Sequence, residues 1–152
     1  MRLALAAFAL GLALPAPAQD AEHEDPASGP AVIAPLAERS LLLDLARAGP
    51  RVFAVGERGH ILHSDDSGRS WVQSQVPASA NLTAVYFADD KRGWAVGHVE
   101  TILRTEDGGA SWQLAHFEPD NPQPLLDVVF TDASRGLAVG AYGVIYVTKD
   151  GG

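Results

Sequence analysis

The feature that most constrains this chain is a phrase of about twenty residues that occurs three times. Each copy contains a strand-like segment ending in Ala-Val-Gly, then a short apolar segment, then a turn with the pattern Ser/Thr-x-Asp-x-Gly. The glycines that end the first segment are Gly56, Gly97 and Gly140, so successive copies are 41 and 43 residues apart. A repeat of roughly 40 to 45 residues that contains strands and no helix is typical of β-propeller blades.

The second copy is the most regular and predicts four strands, at 82–87, 93–97, 101–105 and 111–117. Its segments are apolar on both sides, as in Val85-Tyr86-Phe87, which is expected where sheets stack face to face. The first copy begins with a strand at Leu43-Asp44-Leu45, and the third gives only three strands before the sequence stops. We therefore predict an all-β fold, a partial β-propeller with two four-stranded antiparallel blades and most of a third.

Three regions are predicted along the chain. Residues 1–18 have the form of a secretory signal, with Arg2, an apolar run and Ala16-Pro17-Ala18 as the cleavage site, although an uncleaved anchor is the alternative. Residues 19–39 are rich in Pro, Ala and acidic residues and predict a disordered linker. Residues 40–152 hold the blades, at 40–78, 79–119 and 120–152. Cleavage after Ala18 predicts a periplasmic or secreted protein without stable membrane insertion.

Composition excludes several functions. The chain has no cysteine, which excludes disulfides, thiolate catalysis and cysteine-based zinc sites. A formal net charge of −8 argues against nucleic acid or an anionic membrane as the main partner, because both attract basic proteins. The strict Asp-x-Asp-x-Asp-Gly calcium loop is also missing from the turns, so we expect neither a metal nor a cofactor.

The turn motif resembles the Asp-box, or bacterial neuraminidase repeat. In this motif the Asp carboxylate accepts backbone N–H bonds, the glycine adopts a positive φ and the tryptophan covers a junction between blades. A structural role is therefore favoured over a catalytic one. The motif residues are Ser64, Asp66, Gly68 and Trp71 in the first copy, Thr105, Asp107, Gly109 and Trp112 in the second, and Thr148, Asp150 and Gly152 in the third.

The fuller phrase, Gly-x-Ala-Val-Gly followed by an apolar strand and Thr-x-Asp-Gly-Gly-x-x-Trp, is similar to the propellers of the photosystem II stability/assembly factor family. The resemblance covers about 41–152. It implies a non-catalytic, seven-bladed propeller that binds a membrane protein complex or its unassembled subunit and assists the assembly of that complex. Because this chain gives fewer than three blades, we expect it to be a fragment. Glu100 departs from the pattern, because the other copies have a second glycine there, Gly59 and Gly143.

Three arginines recur just before the second strand of each copy, at Arg51, Arg92 and Arg135. Equivalent positions of a propeller lie on one face, where such arginines can bind the carboxylates of a partner. The resemblance implies the same use of an arginine-rich face. The alternative is that each arginine only caps or solvates its own hairpin.

A glycoside hydrolase of the sialidase or glucan-hydrolase type is the competing functional interpretation, because such enzymes share the Asp-box. A sialidase needs a tyrosine nucleophile with a carboxylate partner and an arginine cluster. We find no Arg-Ile-Pro type of motif and no acid/base pair, so the sequence favours a protein that is not an enzyme. This alternative requires the catalytic residues to lie in blades beyond this sequence.

Overall fold

A computed structural model describes residue 27 and residues 29–152. The signal peptide predicted at 1–18 lies outside these residues. Three antiparallel sheets follow one another along the chain, and each is an up-and-down meander. Blade 1 consists of β1 (Leu42–Ala48), β2 (Arg51–Gly56), β3 (Ile61–Ser64) and β4 (Val72–Gln73); blade 2 of β5 (Leu82–Phe87), β6 (Gly93–Gly97), β7 (Ile102–Thr105) and β8 (Gln113–His116); blade 3 of β9 (Leu125–Phe130), β10 (Gly136–Gly140) and β11 (Ile145–Thr148).

This architecture confirms the predicted all-β, partial β-propeller with sheets of four, four and three strands. The period-defining glycines have a common physical reason. A Cβ placed on Gly56, Gly97 or Gly140 would lie 2.0, 2.1 or 2.5 Å from a carbonyl oxygen of the segment entering the first strand of the same blade. Only glycine lets the end of the second strand approach that segment so closely. The repeated glycine therefore marks the place where the end of the second strand packs against the segment entering the first strand of the same blade.

Apolar side chains from facing sheets fill both junctions between blades. The junction of blades 1 and 2 is built around Phe53, Val55, Leu82, Val85, Leu103 and Trp112, and that of blades 2 and 3 around Trp94, Val96, Leu125, Val128, Phe130 and Ala138. The first strands of neighbouring blades also lie side by side and exchange hydrogen bonds. The Val85 N–H donates to Asp44 Oδ2 at 2.8 Å, and Thr83 Oγ1 donates to the Leu125 carbonyl at 2.6 Å. Both faces of blade 2 are therefore buried, as its apolar strands predict.

Part of the predicted linker is ordered against blade 1. The Ala31 N–H donates to the Val76 carbonyl at 2.9 Å, and the Gln73 side chain bonds both the Ala34 N–H and the Val32 carbonyl. Apolar contacts with the outer face of blade 1 offset the low hydrophobicity of this segment, which ends in a short 3₁₀ turn at Ala37–Arg39. The prediction of disorder is therefore wrong for residues 29–39, while the boundaries of the regions stay predictions.

The two outermost sheet faces differ. The segment 31–39 covers part of the face of blade 1, where Ala37 packs with Ala54 and Leu62. On the face of blade 3 that points away from blade 2, Leu137 and Val147 form a cross-strand pair, and they are 40% and 70% exposed. A search of the described residues finds no helix with the length and hydropathy needed to span a bilayer.

Candidate functional site

The Asp motif forms one hydrogen-bonded turn at the end of the third strand of each blade. In blade 1, Asp66 Oδ1 accepts the Ser70 N–H at 2.9 Å and the Ser64 hydroxyl at 2.8 Å, while the Gly68 N–H donates to Ser64 Oγ at 2.8 Å. Hydrogen bonds to the carboxylate lower the pKa of Asp66 to about 2, and the largest contribution comes from the Ser70 hydroxyl, which donates to Asp66 Oδ2. Both oxygens of the carboxylate therefore accept hydrogen bonds from residues of the same turn.

The other two turns repeat this arrangement. Asp107 accepts the Thr105 hydroxyl at 2.8 Å and the Ser111 N–H at 2.9 Å, and Asp150 accepts the Thr148 hydroxyl at 2.7 Å. The glycines at the fifth position, Gly68, Gly109 and Gly152, all have positive φ. A carboxylate held by its own turn is poorly placed to act on a substrate.

The two tryptophans of the motif have different surroundings. Trp112 is buried at the junction of blades 1 and 2, with its ring edge-on to Phe53 and Phe87. Trp71 is half-buried on the outer face of blade 1 and packs against the cluster of Ala37, Ala54 and Leu62, where it meets the ordered N-terminal segment. Only the indole of Trp112 therefore covers a junction between described blades.

Turns alternate between the two ends of a meander, so the Asp turns share one end with the turns that join first to second strands. We call this end the Asp-turn face: 49–50, 65–71, 88–92, 106–112, 131–135 and 149–152. The Gly108 N–H donates to the Lys91 carbonyl and the Gly151 N–H to the Ser134 carbonyl, both at 2.8 Å. In blades 2 and 3, these bonds join the Asp turn to the turn between the first and second strands of the same blade.

The three predicted arginines all lie on the Asp-turn face, one in each blade, but they do not touch one another. Arg51 binds Asp65 through two bonds of 2.7 and 3.0 Å, which raise the pKa of the guanidinium, and its Nη1 reaches the Gly108 carbonyl at 3.4 Å. Arg92 pairs with Asp89 at 2.6 Å. The exposed side chain of Arg135 makes no hydrogen bond or ion pair with any described residue.

Charge on this face is concentrated and mixed. Eight of the eleven basic residues of the chain lie in these turns or within two residues of them: Arg47, Arg51, Arg69, Lys91, Arg92, Arg104, Arg135 and Lys149. Acidic residues of the same turns, such as Asp65 and Asp89, neutralise part of this charge. Acidic and basic residues balance on this face by the same criterion, so the net charge of −8 comes from the rest of the chain.

Glu100 is the centre of a polar cluster at the other end of the blades, and sequence reasoning found it only as a departure from the repeat. Its side chain is buried and accepts hydrogen bonds from Tyr146 Oη in blade 3 and from Asn121 Nδ2 at 2.6 Å. His116 Nε2 lies 3.6 Å from Glu100 Oε2, too far for a hydrogen bond. The cluster borders the junction of blades 2 and 3, where a cavity of about 270 Å³ is lined mainly by apolar residues.

The pairing of Tyr146 with Glu100 bears on the glycosidase alternative, which requires a tyrosine activated by a carboxylate. The hydrogen bond to Glu100, together with burial, raises the pKa of Tyr146, which makes its phenolate harder to form. The three repeat arginines lie on the Asp-turn face, whereas Glu100 follows the second strand of its blade and lies at the opposite end. The described residues therefore do not assemble a sialidase-like site.

A family model described as "Photosynthesis system II assembly factor YCF48" matches residues 69–123, from the first Asp turn to the start of blade 3. The chloroplast photosystem II stability/assembly factor HCF136 of Arabidopsis thaliana is 35% identical over 66 residues. That alignment covers 41% of this chain and 16% of the Arabidopsis protein.

Two solved structures have the same fold. One is Ycf48 bound to a D1 peptide, with a TM-score of 0.62, 26% identity and coverage of 73% of this chain. The other is Ycf48 from Cyanidioschyzon merolae, with a TM-score of 0.64, 27% identity and coverage of 74%. This chain spans 38% of each of those two proteins. The comparisons confirm the resemblance to photosystem II assembly-factor propellers, and the Arabidopsis relative is named as a stability/assembly factor.

Proposed function

We propose that this chain is part of a non-catalytic propeller that binds an extended peptide segment of a membrane-complex subunit and assists the assembly of that complex. The observation that supports it most directly is the similarity to Ycf48 bound to a D1 peptide, which extends over 73% of this chain. The Asp-turn face supplies the contact surface in this proposal, because it presents arginines in all three blades of a chain that is otherwise acidic.

The three arginines have different roles in the proposed surface. Arg135 is the most available, since its guanidinium has no partner among the described residues. Arg51 and Arg92 already hold Asp65 and Asp89, so a partner carboxylate must compete with an intramolecular ion pair. Exposed ion pairs contribute only about 0 to 1 kcal/mol, so this competition is weak and leaves both arginines usable.

Binding of a fluorescently labelled D1 peptide, followed by anisotropy, tests this proposal. The samples are the unmodified chain, the triple variant R51Q/R92Q/R135Q, and R39Q as a control for charge outside the Asp-turn face. We expect the triple variant to lose at least about tenfold in affinity, or ~1.4 kcal/mol, and R39Q to bind as the unmodified chain does. Binding that is equal in all three proteins would refute the arginine surface, and absence of binding to the unmodified chain would refute this peptide as ligand.

We also propose that the protein is exported and acts in the periplasm or outside the cell, on the basis of Arg2, the apolar run after it and the site at Ala16-Pro17-Ala18. Expression of the chain in a bacterium with its own first residues tests this. A mature protein whose N-terminus is Gln19, found in the periplasmic fraction by mass spectrometry, is the expected result. A cytoplasmic protein that retains residues 1–18 would contradict export.

A further inference from the structure

The face opposite the Asp turns holds a second candidate site, at the junction of blades 1 and 2. A cavity of about 600 Å³ lies there between the turn that follows β2 and the turn that follows β6. Its polar walls include Arg58, His60, Asn81 and His98, and the segment 31–39 contributes Val32 and Ala34. None of these residues belongs to the Asp motif or to the three repeat arginines.

His60 is the buried polar group of this cavity. It is only 3% exposed, and its Nδ1 has no hydrogen-bond partner among the described residues. Burial is the main cause that lowers the pKa of the imidazole, so the ring is neutral at pH 7 and carries one N–H donor. A buried polar atom left without a partner destabilises the folded protein.

Arg58 brings a positive charge to the same wall. It is exposed, and its guanidinium makes no hydrogen bond or ion pair with a described residue, although it lies close enough to help lower the pKa of His60. The Arg58 N–H donates to Asn81 Oδ1 at 2.9 Å, which ties the turn to the entry of blade 2. Glu57 is the acidic neighbour of His60, and one of its oxygens accepts the Leu41 N–H at 3.2 Å.

Arg58, Val99 and Tyr142 occupy equivalent positions of the three blades, and all have left-handed φ values, 55°, 50° and 56°. The conformation therefore belongs to the turn that follows the second strand of every blade, and in blades 1 and 2 this turn brings Arg58 and Val99 to the wall of the cavity.

We propose that this cavity binds a carboxylate group of a peptide partner, either a C-terminal carboxylate or an acidic side chain. The Arg58 guanidinium supplies the charge and paired donors, and the imidazole N–H of His60 donates to the second oxygen. His98, exposed on the opposite wall, completes a rim of cationic and neutral donors. The site lies on the face opposite the repeat arginines and does not depend on them.

Titration of the chain with N-acetylglycine, followed through the imidazole resonances of His60 and His98 by NMR, tests the proposal. N-acetylglycinamide is the matched neutral probe. We expect saturable shifts of both imidazoles with the carboxylate alone. R58Q should weaken binding at least about tenfold, whereas R39Q, which removes the same charge from a residue that does not line the cavity, should leave it unchanged.

Several results would overturn this inference. They are the absence of saturable shifts at His60, equal binding of the amide, and unchanged affinity in R58Q. The conservative variant R58K, which keeps the charge, should fall between the unmodified chain and R58Q, and indole resonances that match those of the unmodified chain establish that each variant is folded. No protein partner enters this test, so its failure leaves the proposal for the Asp-turn face untouched.

Discussion

Replacement of Trp112 by alanine tests how the blades are held together. The indole is 6% exposed, with its ring centre 6.3 Å from that of Phe53 and 6.0 Å from that of Phe87, both edge-on. Truncation of a buried tryptophan costs about 3 to 5 kcal/mol, of which each edge-on contact contributes about 0.5 to 1.5 kcal/mol. The indole N–H is buried without a hydrogen-bond partner among the described residues, so its removal offsets part of this packing loss.

The matched control is W71A, at the same position of the first Asp turn. Trp71 is half-buried against the segment 31–39 and not between two blades, so we expect a loss of about 1 to 2 kcal/mol. Urea denaturation followed by far-UV circular dichroism measures the free energy of unfolding of both variants. A loss below about 1 kcal/mol for W112A, or a larger loss for W71A than for W112A, would refute the assignment of Trp112 as the residue that joins the blades.

Three further predictions concern the turns and the polar cluster. The folded-state pKa of Asp66, about 2, lies below its ordinary value of 3.8, so its stabilisation is present above pH 4 and disappears as pH falls towards 2; D66N should flatten the dependence of unfolding free energy on pH in that window. G109A should lower the thermal midpoint more than G143A, because both glycines have positive φ but only at Gly109 would the new Cβ lie 2.4 Å from an aromatic ring of blade 1. Y146F should cost about 1 to 3 kcal/mol in urea denaturation, because it removes a hydrogen bond to the buried carboxylate of Glu100; a loss near zero would contradict the assigned role of that cluster.

The repeat made most of the fold predictable. Its glycines mark the points where the end of the second strand meets the segment entering the first, and this close approach requires glycine in every blade. Propensity favours helix for the run Leu41–Ala46, but the repeat correctly assigned a strand there, observed as β1 at Leu42–Ala48. A signal that recurs at a fixed spacing therefore outweighs local propensity.

The features that sequence reasoning missed depend on contacts between distant segments. Residues 29–39 have the composition of a disordered linker, but contacts with the outer face of blade 1, the side chain of Gln73 and the Val76 carbonyl hold them in place. Arg51 and Arg92 were predicted either to bind a partner or only to cap or solvate their own hairpins. The ion pair of Arg92 with Asp89 is local, between residues three apart, whereas the pair of Arg51 with Asp65 joins two different turns. Glu100 had a detectable signal, since it replaces a glycine, whereas its partners Asn121 and Tyr146 had none.

We propose that the Asp-turn face, with its repeat arginines, is the protein-binding surface. Amide hydrogen exchange of the chain with and without the peptide of the anisotropy assay tests it most directly. We expect slower exchange in the turns 88–92 and 131–135 when the peptide is bound. Protection confined to the turns 57–60 and 98–101 at the other end of the blades, or no protection of 88–92 and 131–135 by a peptide that binds, would contradict this proposal.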